Sequence, residues 1–414
     1  MQHPYGYGLL VPPDGLRAKI GWFVNRIVRA ISIRLLRPLD LFGLRVKRII
    51  WVKDRRTGDR SGGEVKNHRV MHPESVVDIA AAGDAEFLAA APNYPTGQLV
   101  LAEVFVAEVS PAFYYPALGL VANARFEVFG DSILLPHRFH LSTAYRSLRP
   151  LRWSYRSGPI SSIQRIDAYN FWHWMADCLP QLLMLEQYME GEPLTLLASD
   201  DLGGFQRETL ALMLGPTMQL EFVPGKTWIR TDRFILSSYL SGRCNGYLPE
   251  NYYAEIRRRI TRGLGLPEHA KPELRIYLSR AGARRRRVTN ETAVTALLQR
   301  YGFVSIRPET MSLREQVDVF QRASMIAGPH GAAFGGMVFS TAAKLLVLYP
   351  EQHPGEYFYT MARRIGLEHF AVIHDYGGDE DSVEDFAVDL VRMQATLEGE
   401  MGLRLDDHHA TEHV

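Results

Sequence analysis

Cysteine is nearly missing from this chain of 414 residues: there are two, Cys178 and Cys244. Two cannot build a disulfide framework, and so few suit a reducing compartment. Net charge is missing too, since Lys+Arg 47 against Asp+Glu 46 leaves +1. With no global excess of one sign, nothing directs the chain to nucleic acid. No uninterrupted apolar run approaches the roughly 18–20 residues of a membrane span. Internal repeats and low-complexity tracts are absent as well. What remains, 46% hydrophobic and 22% charged, is ordinary globular composition, and the length fits two domains of roughly 100–200 residues.

Charge does concentrate near the start. Residues 16–49 carry nine Lys/Arg and one Asp. Ile20, Phe23, Ile27 and Ile31 recur there at helical spacing, with Arg26, Arg29 and Arg34 between them. Basic residues interrupt the apolar positions throughout, so the segment is a poor signal peptide. A basic amphipathic helix can lie on an anionic membrane surface or pack on the protein's own body, and both readings stay open. Residues 53–68, polar and glycine-containing, read as a linker. The organisation expected is residues 1–73 as N-terminal segment and linker, 74–265 as an N-terminal α/β domain, 266–378 as a C-terminal Rossmann-like domain, and 379–414 as a helix and tail.

Periodicity supports α/β architecture. Short apolar runs at 98–110, 117–130 and 131–137 read as strands. A helix follows from Asn170 to about Glu190, with Pro180 as an internal kink. Strands are expected at 194–200, 220–224 and 233–239, with a helix near 204–214. Helices alternating with short apolar strands imply a parallel sheet covered on both faces. The second half repeats the pattern, with strands at 274–280, 303–306, 324–328 and 344–350. Between them lie a helix at 290–302, capped by Asn290 and closed by Gly302, and one at 312–323 with a Ser312/Glu315 capping box. A glycine-rich turn opens a further helix that continues through residues 337–343.

Three motifs could carry chemistry. "GPHGAAFGG" (328–336) runs from a strand through glycines into a helix, which suits a diphosphate. Its glycine spacing is not the dinucleotide fingerprint. His330 at the turn could bond a phosphate oxygen. "SRAGARRRR" (279–287) puts five arginines after another strand on the same expected rim, and guanidinium groups bind phosphate bidentately while staying charged. His173 and Asp177, at i,i+4, share one face of a nearly all-apolar helix. They are either a mutually satisfied buried pair or a general base on a hydroxyl. Asp379-Glu380-Asp381 has the form of a metal–diphosphate D-x-D, though acids there also complement a helix N-terminus. The tail 406–414, with three histidines, reads as a frayed end.

Together the motifs resemble glycosyltransferase family 61. The likeness is carried by Asn170, His173, Trp174, Asp177 and 179–180. It continues through Tyr277 to Arg280, with Ser279, then Arg284, Arg286, Arg287, Asn290 and Glu291. Residues 307–339, with Glu309 and Gly328, follow it nearly throughout, and 357–358 and 366–367 close it. The chain departs from the family in the strand after the glycine turn, where "KLLVLYP" (344–350) has no glutamate. The resemblance implies a GT-B-like fold, two Rossmann-like domains facing each other across a cleft. It implies inverting transfer of sugar from a nucleotide sugar, commonly a UDP-sugar, to a glycan or lipid-linked acceptor, with no cofactor and no metal. Asp177 would be the base, with His173 orienting it or acting as base itself. Arg280, Arg284, Arg287, His330, Gly331 and Ala332 would hold the diphosphate. The likeness is to bacterial members of capsule or exopolysaccharide assembly, working at the cytoplasmic face of a membrane. Two other functions fit parts of the pattern. H-x-x-x-D (173–177) also presents the histidine of CoA-dependent acyltransferases, and a non-catalytic assembly partner could keep the fold alone.

Overall fold

The computed structural model describes residues 49–52, 65–80, 87–88, 97–133, 153–165, 167–240, 246–283, 285–350, 356–374 and 385–405. It is a mixed α/β protein. The N-terminal half is built on a six-stranded sheet of β1 (Val65–His72), β2 (Val104–Val109), β3 (Ile160–Ser161), β4 (Leu194–Ser199), β5 (Met218–Val223) and β6 (Phe234–Ser237), in the order β5-β4-β3-β6-β2-β1. The four strands β5, β4, β3 and β6 are parallel, while β2 and β1 are added antiparallel. A second six-stranded sheet, largely antiparallel, packs on it; Phe105, Ala107, Tyr114, Val121, Ile160 and Phe234 belong to the core they share. The parallel pairing expected of the strands that alternate with helices is found in β3, β4, β5 and β6, and the strand expected at 98–110 joins them antiparallel, as β2 beside β6. Residues 131–132 are also not strand, lying in a 3₁₀ turn over Gly130–Ser132; of the rest of that expected strand only Ile133 is described, and it is extended but unpaired.

The C-terminal sheet has the five strands β7 (Leu274–Leu278), β8 (Phe303–Ile306), β9 (Ala323–Pro329), β10 (Lys344–Pro350) and β11 (Glu368–His374), all parallel, in the order β8-β7-β9-β10-β11. That is a doubly wound order in which the sequence of strands reverses between β7 and β9, the place where such sheets bind ligands. The apolar run of β10 follows from its place: Leu345 to Tyr349 are fully buried, covered on both faces. The Ser312/Glu315 capping box forms as expected on the helix Leu313–Gln321. Asn290 does not cap with its side chain. Its amide instead pairs with the backbone of Val388, donating to the carbonyl at 2.8 Å and accepting from the N–H at 2.9 Å. The segment after the glycine turn is a 3₁₀ helix, Ala332–Phe339, ending at Ser340. It does not run on to 343 because Ser340 turns back, its hydroxyl donating to the Phe320 carbonyl at 2.7 Å.

The halves meet through a continuous core. Leu179, Leu183 and Met184 belong to the same buried cluster as Tyr253, Phe320, Phe334, Met337, Val347 and Phe358. Hydrogen bonds cross the seam, with Tyr359 Oη and Arg363 Nε donating to the Ile79 carbonyl at 3.0 and 2.9 Å. Arg257 Nη1 donates to the Ser340 carbonyl at 2.9 Å. Residues 385–405 pack on the C-terminal sheet, burying Phe386, Met393 and Leu397 against Tyr277 and Leu346.

Candidate functional site

The helix that follows β3 explains the site. Asn170 caps it, its side-chain oxygen accepting from Trp172 N at 2.9 Å. One α-helical turn, Phe171–His173, leads into a π-helical turn, Trp174–Cys178, and then α1, Leu179–Met189. Pro180 stands at the head of α1, where its missing N–H and its ring oppose a regular turn; a wider turn just before it resolves the conflict. The helix is apolar nearly all round because it is buried on both sides, by the N-terminal sheet and by the glycine-rich segment. At Gly335 an added Cβ would stand 3.1 Å from the Phe171 ring, so glycine sets how closely the segment approaches.

Within this helix His173 Nδ1 and Asp177 Oδ2 are 2.7 Å apart. A carboxylate only accepts, so Nδ1 carries the proton and the neutral ring keeps its lone pair on Nε2. Asp177 is 1% exposed and lies behind, whereas the His173 side chain is 24% exposed and lines a cavity. Burial pushes the His173 pKa down, but the hydrogen bond and the charge of Asp177 outweigh it, and the net shift is upward from 6.5. The Asp177 carbonyl accepts from the Gln181 side chain, whose own oxygen is held by the buried Arg165 guanidinium.

The cavity, about 230 Å³, lies at the seam and is lined by Asn170, Trp172 and His173 from one side and Arg286, His330, Gly331, Ala332, Tyr357 and Phe358 from the other. The second group comes from the loop after β7, the turn after β9 and the helix after β10, so the cavity opens at the strand-order reversal. Arg286 donates from Nη1 to His330 Nδ1 at 2.9 Å, which places the proton of a neutral His330 ring on Nε2. Tyr357 lies nearly parallel to His330, centroids 6.2 Å apart. Arg286 has φ 55°, a left-handed conformation that costs a non-glycine residue roughly 1–3 kcal/mol and tends to persist at functional sites.

The other expected residues divide. Arg280 supports the loop: its guanidinium donates to the carbonyls of Arg286 at 3.2 Å and Arg285 at 2.8 Å, and it rests over Gly331. Arg287 is turned away, held by Asp385 through Nε at 2.8 Å and Nη2 at 2.6 Å. Arg284 lies outside the described residues, as do 16–48, Asp379 to Asp381 and the tail from 406. Glu291 ties the end of β7, accepting from Arg280 N at 3.0 Å and Tyr277 Oη at 3.2 Å. The Ser279 hydroxyl accepts from Ala281 N at 3.3 Å. Gly328 lets β9 approach β7, since a Cβ there would lie 2.9 Å from that of Leu278. Glu309 pairs with Arg307 at 3.1 Å on the exposed rim. Asn290 serves the Val388 backbone. Among the described residues no three His, Cys, Asp or Glu side chains are grouped to hold a metal ion, and no helix is long and apolar enough to cross a membrane.

Sequence reasoning missed a role for Trp172, Arg286, Tyr357 and Phe358. Three of them stood inside the motifs that carried the resemblance; nothing in residue type distinguishes one arginine of four in a row. Residues 171–347 match the family model described as Glycosyltransferase 61, a stretch holding the His173–Asp177 pair, the arginine loop and the glycine turn, while Asn170, Tyr357 and Phe358 flank it. The match supports glycosyltransferase activity. No curated protein matches the chain.

Proposed function

We propose that the protein is an inverting glycosyltransferase that moves a sugar from a nucleotide sugar, a UDP-sugar, to a hydroxyl of a glycan or lipid-linked acceptor in polysaccharide assembly. The observation that carries this reading is one cavity with His173, backed by Asp177, on one wall and Arg286 with the glycine turn on the other. His173 Nε2 takes the proton of the acceptor hydroxyl as its oxygen attacks the anomeric carbon. The bond from that carbon to the diphosphate oxygen breaks, and the diphosphate leaves with the electron pair. Arg286, steadied by Arg280, and the first N–H groups of the 3₁₀ helix at Ala332 meet the developing charge. Attack opposite the leaving group inverts the centre. Asp177 orients the ring and stabilises the imidazolium, the role its burial behind His173 favours over that of base. The two α/β units are read as a GT-B pair with the C-terminal one on the donor side, and no step invokes a metal.

The test is thermal melting with UDP, GDP, CMP and CoA, on wild type and Arg286→Gly. A ligand at a hundred times its Kd stabilises by about 2.7 kcal/mol. UDP should raise the melting temperature of wild type and not of Arg286→Gly. The unliganded variant should melt no lower than wild type, because glycine adopts the positive φ without strain. A shift with CoA and none with nucleotides would assign the His173–Asp177 pair to acyl transfer instead.

A further inference from the structure

Resting on that reading, we infer that the indole N–H of Trp172 recognises the transferred sugar by donating a hydrogen bond to one of its hydroxyl oxygens. Trp172 is 4% exposed and forms part of the cavity wall. Its Nε1 is buried and has no hydrogen-bond partner among the described residues. Trp174, on the same helix, shows the usual arrangement: its Nε1 donates to Thr209 Oγ1 at 2.8 Å. A buried donor without a partner carries the full cost of its lost hydration, and buried indoles ordinarily find an acceptor. Among the described residues the neighbours of Trp172 supply none. Its ring meets Phe358 edge-on, centroids 4.9 Å apart, and Gly335 closes in beside its Cα. The cavity that Trp172 lines is where a ligand can bring the acceptor.

The arrangement of the walls selects the sugar. The Arg286 guanidinium and the backbone N–H groups of the turn at Gly331 are opposite, where the proposed function puts the diphosphate. Trp172 adjoins His173, where the acceptor hydroxyl is deprotonated. The ring being transferred lies between leaving group and base, against Trp172. About 230 Å³ is less than the roughly 300–1,000 Å³ of sites that take a whole ligand, so this cavity holds the reacting end of the donor and leaves the nucleobase outside. A buried donor that must be satisfied by a hydroxyl also discriminates, because a sugar lacking that hydroxyl leaves it unpaired.

The experiment is calorimetric titration of the full chain, wild type and Trp172→Phe, with UDP, UDP-glucose, UDP-galactose, UDP-N-acetylglucosamine and UDP-xylose. Phenylalanine keeps an aromatic ring for Phe358 to meet and removes the N–H together with the rest of the bicycle, so the comparison of UDP-sugar with UDP isolates the donor. The nucleotide sugar that wild type binds best should lose about tenfold in affinity in the variant, while UDP changes less than twofold. Equal losses for UDP and the UDP-sugar would place the N–H on the diphosphate and overturn the inference, and unchanged binding would overturn it as well. Wild type that binds none of the five probes overturns the nucleotide-sugar reading itself, and this inference with it. Should Trp172→Phe fail to fold, the assigned Trp172 indole resonance of wild type decides: it should move with the UDP-sugar and not with UDP, and the opposite pattern refutes the assignment.

Discussion

The acid–base pair sets the pH behaviour expected of the site. The pKa of His173 is raised above 6.5 by Asp177 against the opposing pull of burial. As a base it works deprotonated, so kcat/KM should climb with pH through a midpoint above 6.5. Asp177→Asn removes the charge that raises the pKa and leaves a neutral amide whose NH2 can donate to Nδ1 and so favour the wrong ring tautomer. In that variant the midpoint should move down, and the plateau should fall by up to about 10⁴. Initial rates across pH for both proteins check this; an unmoved midpoint would mean that Asp177 does not act through His173. Stability carries the same linkage in the other sense. The contribution of a raised histidine pKa is complete below 6.5 and is lost as pH rises through the folded-state value. The pair was visible in the sequence at i,i+4, but which member faces the cavity was not, because that depends on which side of the helix the C-terminal half covers.

At the scale of the element, two glycines of one segment should separate binding from stability. A Cβ at Gly331 would lie 2.3 Å from Arg280 Nη1, the far end of a long side chain that is held to the Arg285 and Arg286 carbonyls. Gly331→Ala should therefore fold with little change in melting temperature and lose UDP affinity by tenfold or more, because Arg280 is pushed off the loop it organises. A Cβ at Gly336 would lie 2.2 Å from the ring of the buried Phe320, which has no room to retreat. Gly336→Ala should destabilise by roughly 1–3 kcal/mol and keep UDP affinity in the fraction that folds. Denaturant unfolding paired with UDP titration measures both, and the reverse pattern would refute the division. The sequence showed a glycine-rich turn and read it as a phosphate cradle. It could not show that one glycine faces an arginine and another a phenylalanine sixteen positions earlier.

Across the whole molecule the two halves are joined by packing, and one half-buried histidine should report on the joint. The ring of His369, on β11, packs against Phe87 and Tyr359, with centroids 4.9 and 5.5 Å away, and accepts or donates at 3.2 Å with Tyr349 Oη. Burial pushes its pKa down to about 3. A lowered folded-state value means that below 6.5 the unfolded chain takes up a proton that the native state refuses. Stability should fall on acidification from 6.5 towards 3, by up to about 1.4 kcal/mol per pH unit. Melting temperatures from pH 7 to 4 should drop less steeply for His369→Gln than for wild type; parallel curves would mean that the ring is hydrated in the native state.

Local rules were enough for the parallel C-terminal unit. Unbroken apolar runs such as 344–350, a capping box at Ser312 and turns rich in glycine and arginine dictate elements whose order admits few folds. They were enough as well to put the arginine loop and the glycine turn on one rim, since both follow strands of that sheet. What they left undetermined depends on partners far away in the chain. Asn290, an apparent cap, is claimed by the backbone of Val388, and Arg287, an apparent phosphate ligand, by Asp385. Arg286 points at His330 because its backbone turns left-handed, and the Trp172 N–H has no partner among the described residues, its ring meeting Phe358 of the other half edge-on. The sequence alone determined which kinds of side chain the site can use, since chemistry follows residue type and short spacing. Only the tertiary structure decided which of them face the cavity, since that is settled by contacts between residues distant in the chain, 44 positions apart for Arg286 and His330 and 98 for Arg287 and Asp385.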